Sequence, residues 1–82
     1  MMERSILLVD DEEGIRKVLG IALSDLGYRV HTAENGVEAL RIFEDKRPPV
    51  VLTDIKMPEM DGIELLRRLK KISPDTEIIM IT

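Results

Sequence analysis

Two short apolar runs, each followed by acidic residues, are the most regular feature of this sequence. Residues 6–9 read Ile-Leu-Leu-Val and lead into Asp10 and Asp11, and residues 50–53 read Val-Val-Leu-Thr and lead into Asp54. Continuous apolar runs of this length are typical of strands buried on both faces of a parallel sheet. The pattern therefore predicts two buried strands that carry carboxylates at their carboxyl ends.

Helices and further strands are predicted around these runs. Residues 13–26 carry apolar side chains at helical spacing, and Gly27 suits a left-handed helix end. Residues 28–32 alternate between apolar and polar side chains, which predicts a strand with one wetter side at the edge of a sheet. Asn35 and Glu38 resemble a capping box at the start of a short amphipathic helix.

A third helix and a fourth strand follow in the second half of the chain. Pro48 ends the second helix, and Asp61 is predicted to be the N-cap of the third. That helix closes at Ser73, and residues 78–81 form the last strand. The predicted apolar stripes of the three helices are, in chain order, Ile15, Val18, Leu19, Ala22 and Leu26, then Val37, Leu40 and Phe43, then Ile63, Leu65, Leu66, Leu69 and Ile72.

The alternation of strands and helices predicts an α/β fold, an open doubly wound parallel sheet with helices on both faces and right-handed crossovers. The wetter second strand favours the strand order 2-1-3-4, which makes strands one and three neighbours. Ligands of such sheets bind beyond the carboxyl ends of the strands, where the winding direction reverses. We expect Asp10, Asp11 and Asp54 to meet there.

Composition restricts the possible functions. The 82 residues suffice for one small domain, and the net charge of −4 argues against nonspecific binding to nucleic acid. The sequence has no cysteine, which excludes disulfides, zinc fingers and thiol chemistry. No apolar run approaches the roughly 20 residues of a membrane span, so we expect a cytoplasmic location and no membrane contact.

Three neighbouring carboxylates repel one another, and either protons or a cation can relieve the repulsion. A divalent cation is the simpler solution. Oxygen ligands without histidine or cysteine favour Mg²⁺ or Mn²⁺, and Mg²⁺ commonly sits on one or two carboxylates together with a phosphate. Such a site suits phosphoryl transfer, in which an aspartate can itself be the nucleophile.

These motifs, taken together, resemble those of the receiver domain of bacterial two-component response regulators. The resemblance covers residues 5–82 and is carried by residues 8–12 (Leu-Val-Asp-Asp-Glu), residues 54–62 (Asp-Ile-Lys-Met-Pro-Glu-Met-Asp-Gly) and Thr82 at the end of a strand. It implies a flavodoxin-like fold and a phosphoacceptor in a phosphorelay signalling pathway, a switch rather than a turnover enzyme.

The resemblance also implies roles for individual residues. Asp54 would accept a phosphoryl group from a sensor histidine kinase, and Asp11 and the backbone carbonyl of Lys56 would join it around Mg²⁺. Asp10 would act mainly through a metal-bound water. Thr82 would be the switch hydroxyl that bonds the new phosphoryl oxygen.

The family pattern extends beyond the printed sequence. It continues with a further helix, a fifth strand bearing a lysine that pairs with the phosphate, and a last helix. We therefore expect residues 1–82 to be the N-terminal part of a receiver domain, and Lys56 does not replace the family's lysine. An exposed fourth strand or uncovered sheet face then predicts a homo-oligomer.

Two other classes of function remain open. An interaction or assembly fragment without phosphoryl chemistry is one. A Mg²⁺-dependent phosphohydrolase with an aspartate nucleophile is the other, although Lys56 occupies the second acidic position of the usual Asp-x-Asp motif.

The basic run at residues 67–71 is interpreted as a solvated helix face, and His31 as a surface residue. Transcription control is the expected output of the full-length protein, without direct contact between this domain and nucleic acid.

Overall fold

The computed structural model describes residues 4–81, and within this range four strands alternate with three helices. In chain order they are β1 (Ser5–Val9), α1 (Glu13–Asp25), β2 (Arg29–Ala33), α2 (Gly36–Lys46), β3 (Val50–Thr53), α3 (Gly62–Ile72) and β4 (Glu77–Met80). The predicted element order is confirmed, and several boundaries shift by one residue. Each of the three described helices is too short for a transmembrane segment.

The strands form one parallel sheet in the order β2-β1-β3-β4, which confirms the predicted topology. Every residue of β1 is buried, because this strand lies between two others. β2 is an edge strand in which exposed and half-buried residues precede the buried Ala33. In the register, Val9 at the end of β1 lies beside Thr53 at the end of β3. The acidic residues after these two strands therefore leave the sheet side by side.

The hydrophobic core lies on the face of the sheet that α2 and α3 cover. Alternate residues of β1 and β3 point into it and meet one buried side of each helix. Its largest fully buried members are Leu7, Val9, Val51, Phe43, Leu65 and Leu69. The buried positions recur at helical spacing in α2 as Gly36, Ala39 and Phe43. In α3 they are Gly62, Leu65 and Leu69.

The predicted stripes of α2 and α3 are wrong at their first positions. Val37 is 60% exposed and Ile63 is 44% exposed. The residues that pack instead at the start of each helix are Gly36 and Gly62, which the hydrophobic pattern does not register. A glycine there lets the helix end approach its neighbours more closely than a larger side chain would allow.

The opposite face of the sheet is only partly covered, which agrees with the predicted uncovered sheet face. Helix α1 contacts β1 and β2 and has no buried residue, and its Val18 is 67% exposed. On the same side of the sheet, Val50 and Leu52 of β3 are half-buried and Ile79 of β4 is 49% exposed. Burial of β3 on both faces is therefore wrong for one face, because a single helix does not span four strands.

Two further expectations concern polar residues, and one needs correction. His31 is half-buried at the surface, since it lies on the edge strand β2 next to Leu7 of β1 and lines an open cleft with residues of α2. Lys70 is not part of a purely solvated face. Its ammonium group donates to the main-chain oxygens of Thr76 (2.6 Å) and Pro74 (3.1 Å) and so holds the turn between α3 and β4.

Candidate functional site

Three carboxylates converge at the carboxyl edge of the sheet. Asp10 and Asp11 follow β1, Asp54 follows β3, and one oxygen of each lies within 4.8 Å of the others. Asp10 is buried, Asp54 is half-buried and Asp11 is exposed. The cluster therefore ranges from the sheet out to solvent, and a ligand can reach it from one side.

Hydrogen bonds fix Asp10 in three directions. Its N–H donates to the carbonyl of Ala33 (3.1 Å), which extends the β1–β2 ladder past Val9. Its Oδ1 accepts from the N–H of Glu12 (2.9 Å), and its carbonyl accepts from the guanidinium of Arg16 (2.7 Å). The chain turns sharply after β1 as a result, and one carboxylate oxygen of Asp10 is left for the cluster.

The main chain around Asp54 is tied to both neighbouring elements. The N–H of Asp54 donates to the carbonyl of Val9 (3.0 Å), and the N–H of Gly62 donates to the carbonyl of Ile55 (2.7 Å). A Cβ at Gly62 would overlap the carbonyl oxygen of Asp54. The close packing of α3 on this loop therefore requires glycine.

The middle of the loop is held from the side of α2. Met60 donates its N–H to the carbonyl of Pro58 (2.8 Å) across Glu59, whose φ of 69° is in the left-handed region. Met57 and Met60 are buried in the core, as packing residues. A Cβ at Gly36 would lie 2.6 Å from the sulfur of Met60, so the start of α2 leaves room for this side chain.

The N-caps of α2 and α3 form as predicted. Asn35 Oδ1 accepts from the N–H of Glu38 (2.8 Å), and Asp61 Oδ1 accepts from the N–H of Glu64 (2.9 Å). The capping box at Asn35 differs in its second half, because Glu38 accepts from the N–H of Glu34 (3.0 Å). Both helices therefore begin at fixed points beside the loop that follows Asp54.

An open cavity of about 450 Å³ lies in front of the carboxylates. Its lining residues are Asp11, Glu12, Asp54, Ile55 and Lys56. Lys56 is exposed at its edge. Thr82, the predicted switch residue, lies outside the described residues. The preceding Ile81 donates its N–H to the carbonyl of Thr53 (2.9 Å) and lines a second cavity beside Asp54.

The cluster fits a small, hard cation. Mg²⁺ binds oxygen at about 2.0–2.1 Å, so its adjacent ligands are about 3 Å apart and its opposite ligands about 4 Å apart. The spacing of the three carboxylate oxygens, within 4.8 Å, needs only small side-chain rotations to reach these values. The donors are all oxygen atoms, and the cavity leaves room for water and a phosphate. The residues present therefore suit Mg²⁺.

Sequence reasoning missed two features of this site. Arg16 reaches the carbonyl of Asp10 from one turn into α1, and no local pattern distinguishes it from a solvated arginine. The contact between Gly62 and Asp54 left a weak signal, because a glycine directly after the N-cap residue Asp61 can admit neighbouring main chain where a side chain could not. That signal indicates a close approach of main chain but does not say to what.

Comparison with known proteins identifies related chains. The sequence model of the response regulator receiver domain family matches residues 6–82 of this chain. Sporulation initiation phosphotransferase F of Bacillus subtilis is 45% identical over 82 residues, which are 100% of this chain and 66% of that protein. Transcriptional regulatory protein GlrR of Escherichia coli is 42% identical over 77 residues, which are 94% of this chain and 17% of that protein.

Solved structures agree with this result. The response regulator protein TrrA, crystallised in complex with the histidine kinase ThkA, matches with a TM-score of 0.90 and 42% identity, and the match covers 99% of this chain and 69% of that one. The chain thus spans only part of the length of each of these three proteins.

Proposed function

The chain belongs to the response regulator receiver domain family, and from this premise we propose that Asp54 is its phosphoryl acceptor. The phosphoryl donor is the phosphohistidine of a sensor histidine kinase, and Mg²⁺ is the cofactor. The observation that carries the proposal is the convergence of Asp10, Asp11 and Asp54 at the carboxyl edge of the sheet. Three acids brought together from two strands, with an open cavity in front, suit a divalent cation and a phosphate.

Each acid has a distinct proposed role. Asp11, Asp54 and the backbone carbonyl of Lys56 are the direct ligands of the cation, and Asp10 contributes through a metal-bound water. The burial of Asp10 and its bond to the N–H of Glu12 support an indirect role, because one of its oxygens is already engaged. Thr82 keeps the role of switch hydroxyl that the family resemblance implies.

In the proposed reaction, a carboxylate oxygen of Asp54 forms a bond to phosphorus while the bond between phosphorus and the imidazole nitrogen breaks. The electron pair stays on that nitrogen, which takes up a proton, and the product is an acyl phosphate on Asp54. A Mg²⁺ ion held by the acidic cluster would supply positive charge to balance the charge that develops on the phosphoryl oxygens. The chain acts once per signal, as a switch and not as a turnover enzyme.

The experiment is phosphoryl labelling with acetyl phosphate and Mg²⁺. We expect one base-labile, acid-stable phosphoryl group, lost in Asp54→Ala and when the metal is chelated. Asp61→Asn is the matched control, because it changes an exposed acid at the end of the same loop and keeps the cap on α3. Labelling that persists in Asp54→Ala refutes the assignment.

The family supports the proposed partner and setting. The relative TrrA was crystallised with a histidine kinase, and GlrR is a transcriptional regulatory protein, which supports a cytoplasmic signalling pathway that ends in transcription control. The domain itself makes no direct contact with nucleic acid in this proposal. The net charge of −4 supports that part.

A second candidate function, self-association, is supported by the thinly covered face of the sheet. Val18 and Ile79 are 67% and 49% exposed on that side, and β4 is an edge strand of the described sheet. We expect sedimentation velocity to show a concentration-dependent dimer that Ile79→Glu weakens. Val37→Glu, at an exposed apolar position of α2, is the control and leaves the dimer unchanged. A monomer at every concentration contradicts this candidate.

A further inference from the structure

Arg16 connects α1 to the end of β1. Its guanidinium donates to the carbonyl oxygen of Asp10 over 2.7 Å, in a partly buried position. The backbone N–H of Arg16 donates to the carbonyl of Glu12 (3.1 Å), so Arg16 belongs to the first hydrogen-bonded turn of α1. The side chain of Arg16 thus bridges from α1 back to the start of the acidic turn between β1 and α1.

The carbonyl that Arg16 holds belongs to the peptide unit between Asp10 and Asp11. A peptide unit is planar, so fixing the direction of its oxygen also fixes the direction of its N–H and the starting point of the next residue. Asp11 is exposed, and no hydrogen bond of its own side chain is found among the described residues. The direction of this peptide unit therefore sets the point from which the side chain of Asp11 extends toward Asp54.

We propose that Arg16 is a positioning residue of the acidic site. Through the Asp10 carbonyl it keeps the carboxylate of Asp11 directed at Asp54, in the arrangement that a divalent cation needs. The proposal rests on the proposed function and deepens it. Groups that orient metal ligands without touching the metal are common in metal sites, and their removal typically lowers metal affinity by about 10–100-fold.

Charge and position predict opposite effects for Arg16. A guanidinium close to the site repels a cation, so if its charge alone mattered, its removal would tighten Mg²⁺ binding. If its hydrogen bond positions the turn, its removal weakens Mg²⁺ binding despite the lost repulsion. The sign of the change in affinity therefore separates the two roles.

The experiment compares Arg16→Met with Lys17→Met by NMR titration with Mg²⁺. Lys17 is the adjacent exposed cation on α1, so both variants lose one positive charge in the same region, but only Arg16→Met loses the bond to Asp10. We expect the Mg²⁺ dissociation constant of Arg16→Met to be roughly tenfold larger than that of the wild type. Lys17→Met binds as the wild type or slightly more tightly, and Arg16→Lys, which keeps a donor, recovers part of the affinity.

A second readout needs no metal. Hydrogen exchange at the amide of Glu12, which donates to Asp10 Oδ1, becomes faster in metal-free Arg16→Met and stays unchanged in Lys17→Met. Equal Mg²⁺ affinities of the two methionine variants, or tighter binding by Arg16→Met, overturn the positioning role. If the wild type shows no Mg²⁺-dependent shifts at Asp11 and Asp54, the proposed function and this inference both fail. If Arg16→Met does not fold, a wild-type affinity in Arg16→Ala, which has no side-chain donor, overturns the inference.

Discussion

Gly62 lies so close to the main-chain carbonyl oxygen of Asp54 that any side chain at residue 62 would overlap that oxygen. The N–H of Gly62 donates to the next carbonyl along, that of Ile55. Helix α3 and the proposed phosphoryl acceptor are therefore joined through main-chain atoms.

Gly62→Ala is expected to disturb both stability and the site. The added methyl group has no flexible neighbour to displace, so α3 or the Asp54 loop shifts, at a cost of about 1–3 kcal/mol. Mg²⁺ affinity falls in parallel. Gly20→Ala in α1 is the control, because a Cβ there meets open space and the helix gains about 0.5–1 kcal/mol. Urea unfolding measures the stability of both variants. An unchanged free energy of unfolding in Gly62→Ala would contradict the close approach of Gly62 to Asp54.

Asp11→Asn is expected to change stability in opposite directions with and without metal. In the metal-free protein it removes one of three mutually repelling charges, so its unfolding temperature rises. With Mg²⁺ at a hundred times the wild-type dissociation constant, the wild type gains about 2.7 kcal/mol, most of which the variant lacks. Thermal unfolding in chelator and in Mg²⁺ tests this. If Asp11→Asn unfolds at a higher temperature than the wild type in Mg²⁺ as well as in chelator, Asp11 is not a ligand of the cation.

Lys70→Met should destabilise the protein more than Lys71→Met. Lys70 donates to two carbonyls in the turn between α3 and β4, whereas Lys71 is exposed. Loss of hydrogen bonds from a charged donor costs about 1.5–3 kcal/mol, and a surface change costs within about 0.5 kcal/mol. Chemical denaturation of the two variants gives the difference. Equal midpoints would mean that the Lys70 contacts contribute no net stability.

Glu59→Gly is expected to stabilise the loop after Asp54. A left-handed backbone costs a residue with a side chain about 1–2 kcal/mol, and glycine's extra freedom in the unfolded chain offsets about 0.5–1 kcal/mol of the gain. The net gain is therefore at most about 1.5 kcal/mol, with a midpoint of about 0.75 kcal/mol. Asp75→Gly, at an exposed turn residue without positive φ, should instead lose stability. A loss in both variants would contradict the strained geometry at Glu59.

Most of the fold could be predicted from the sequence alone. The apolar runs that became β1 and β3, the caps at Asn35 and Asp61 and the left-handed Gly27 are local features, and each is specified by residues close in the chain. Sheet order followed from the polarity of β2. These predictions hold because hydrophobic period and helix capping act over a few residues.

The acidic site was partly readable for the same reason. Acids that follow the ends of parallel neighbouring strands must leave the sheet at one edge, so the approach of Asp10 and Asp11 to Asp54 follows from strand order. What the tertiary structure alone decided is which face of each helix is covered, that Gly62 lies against Asp54, and that Arg16 reaches Asp10. Those contacts join segments that are independent in sequence, and only packing in three dimensions brings their atoms together.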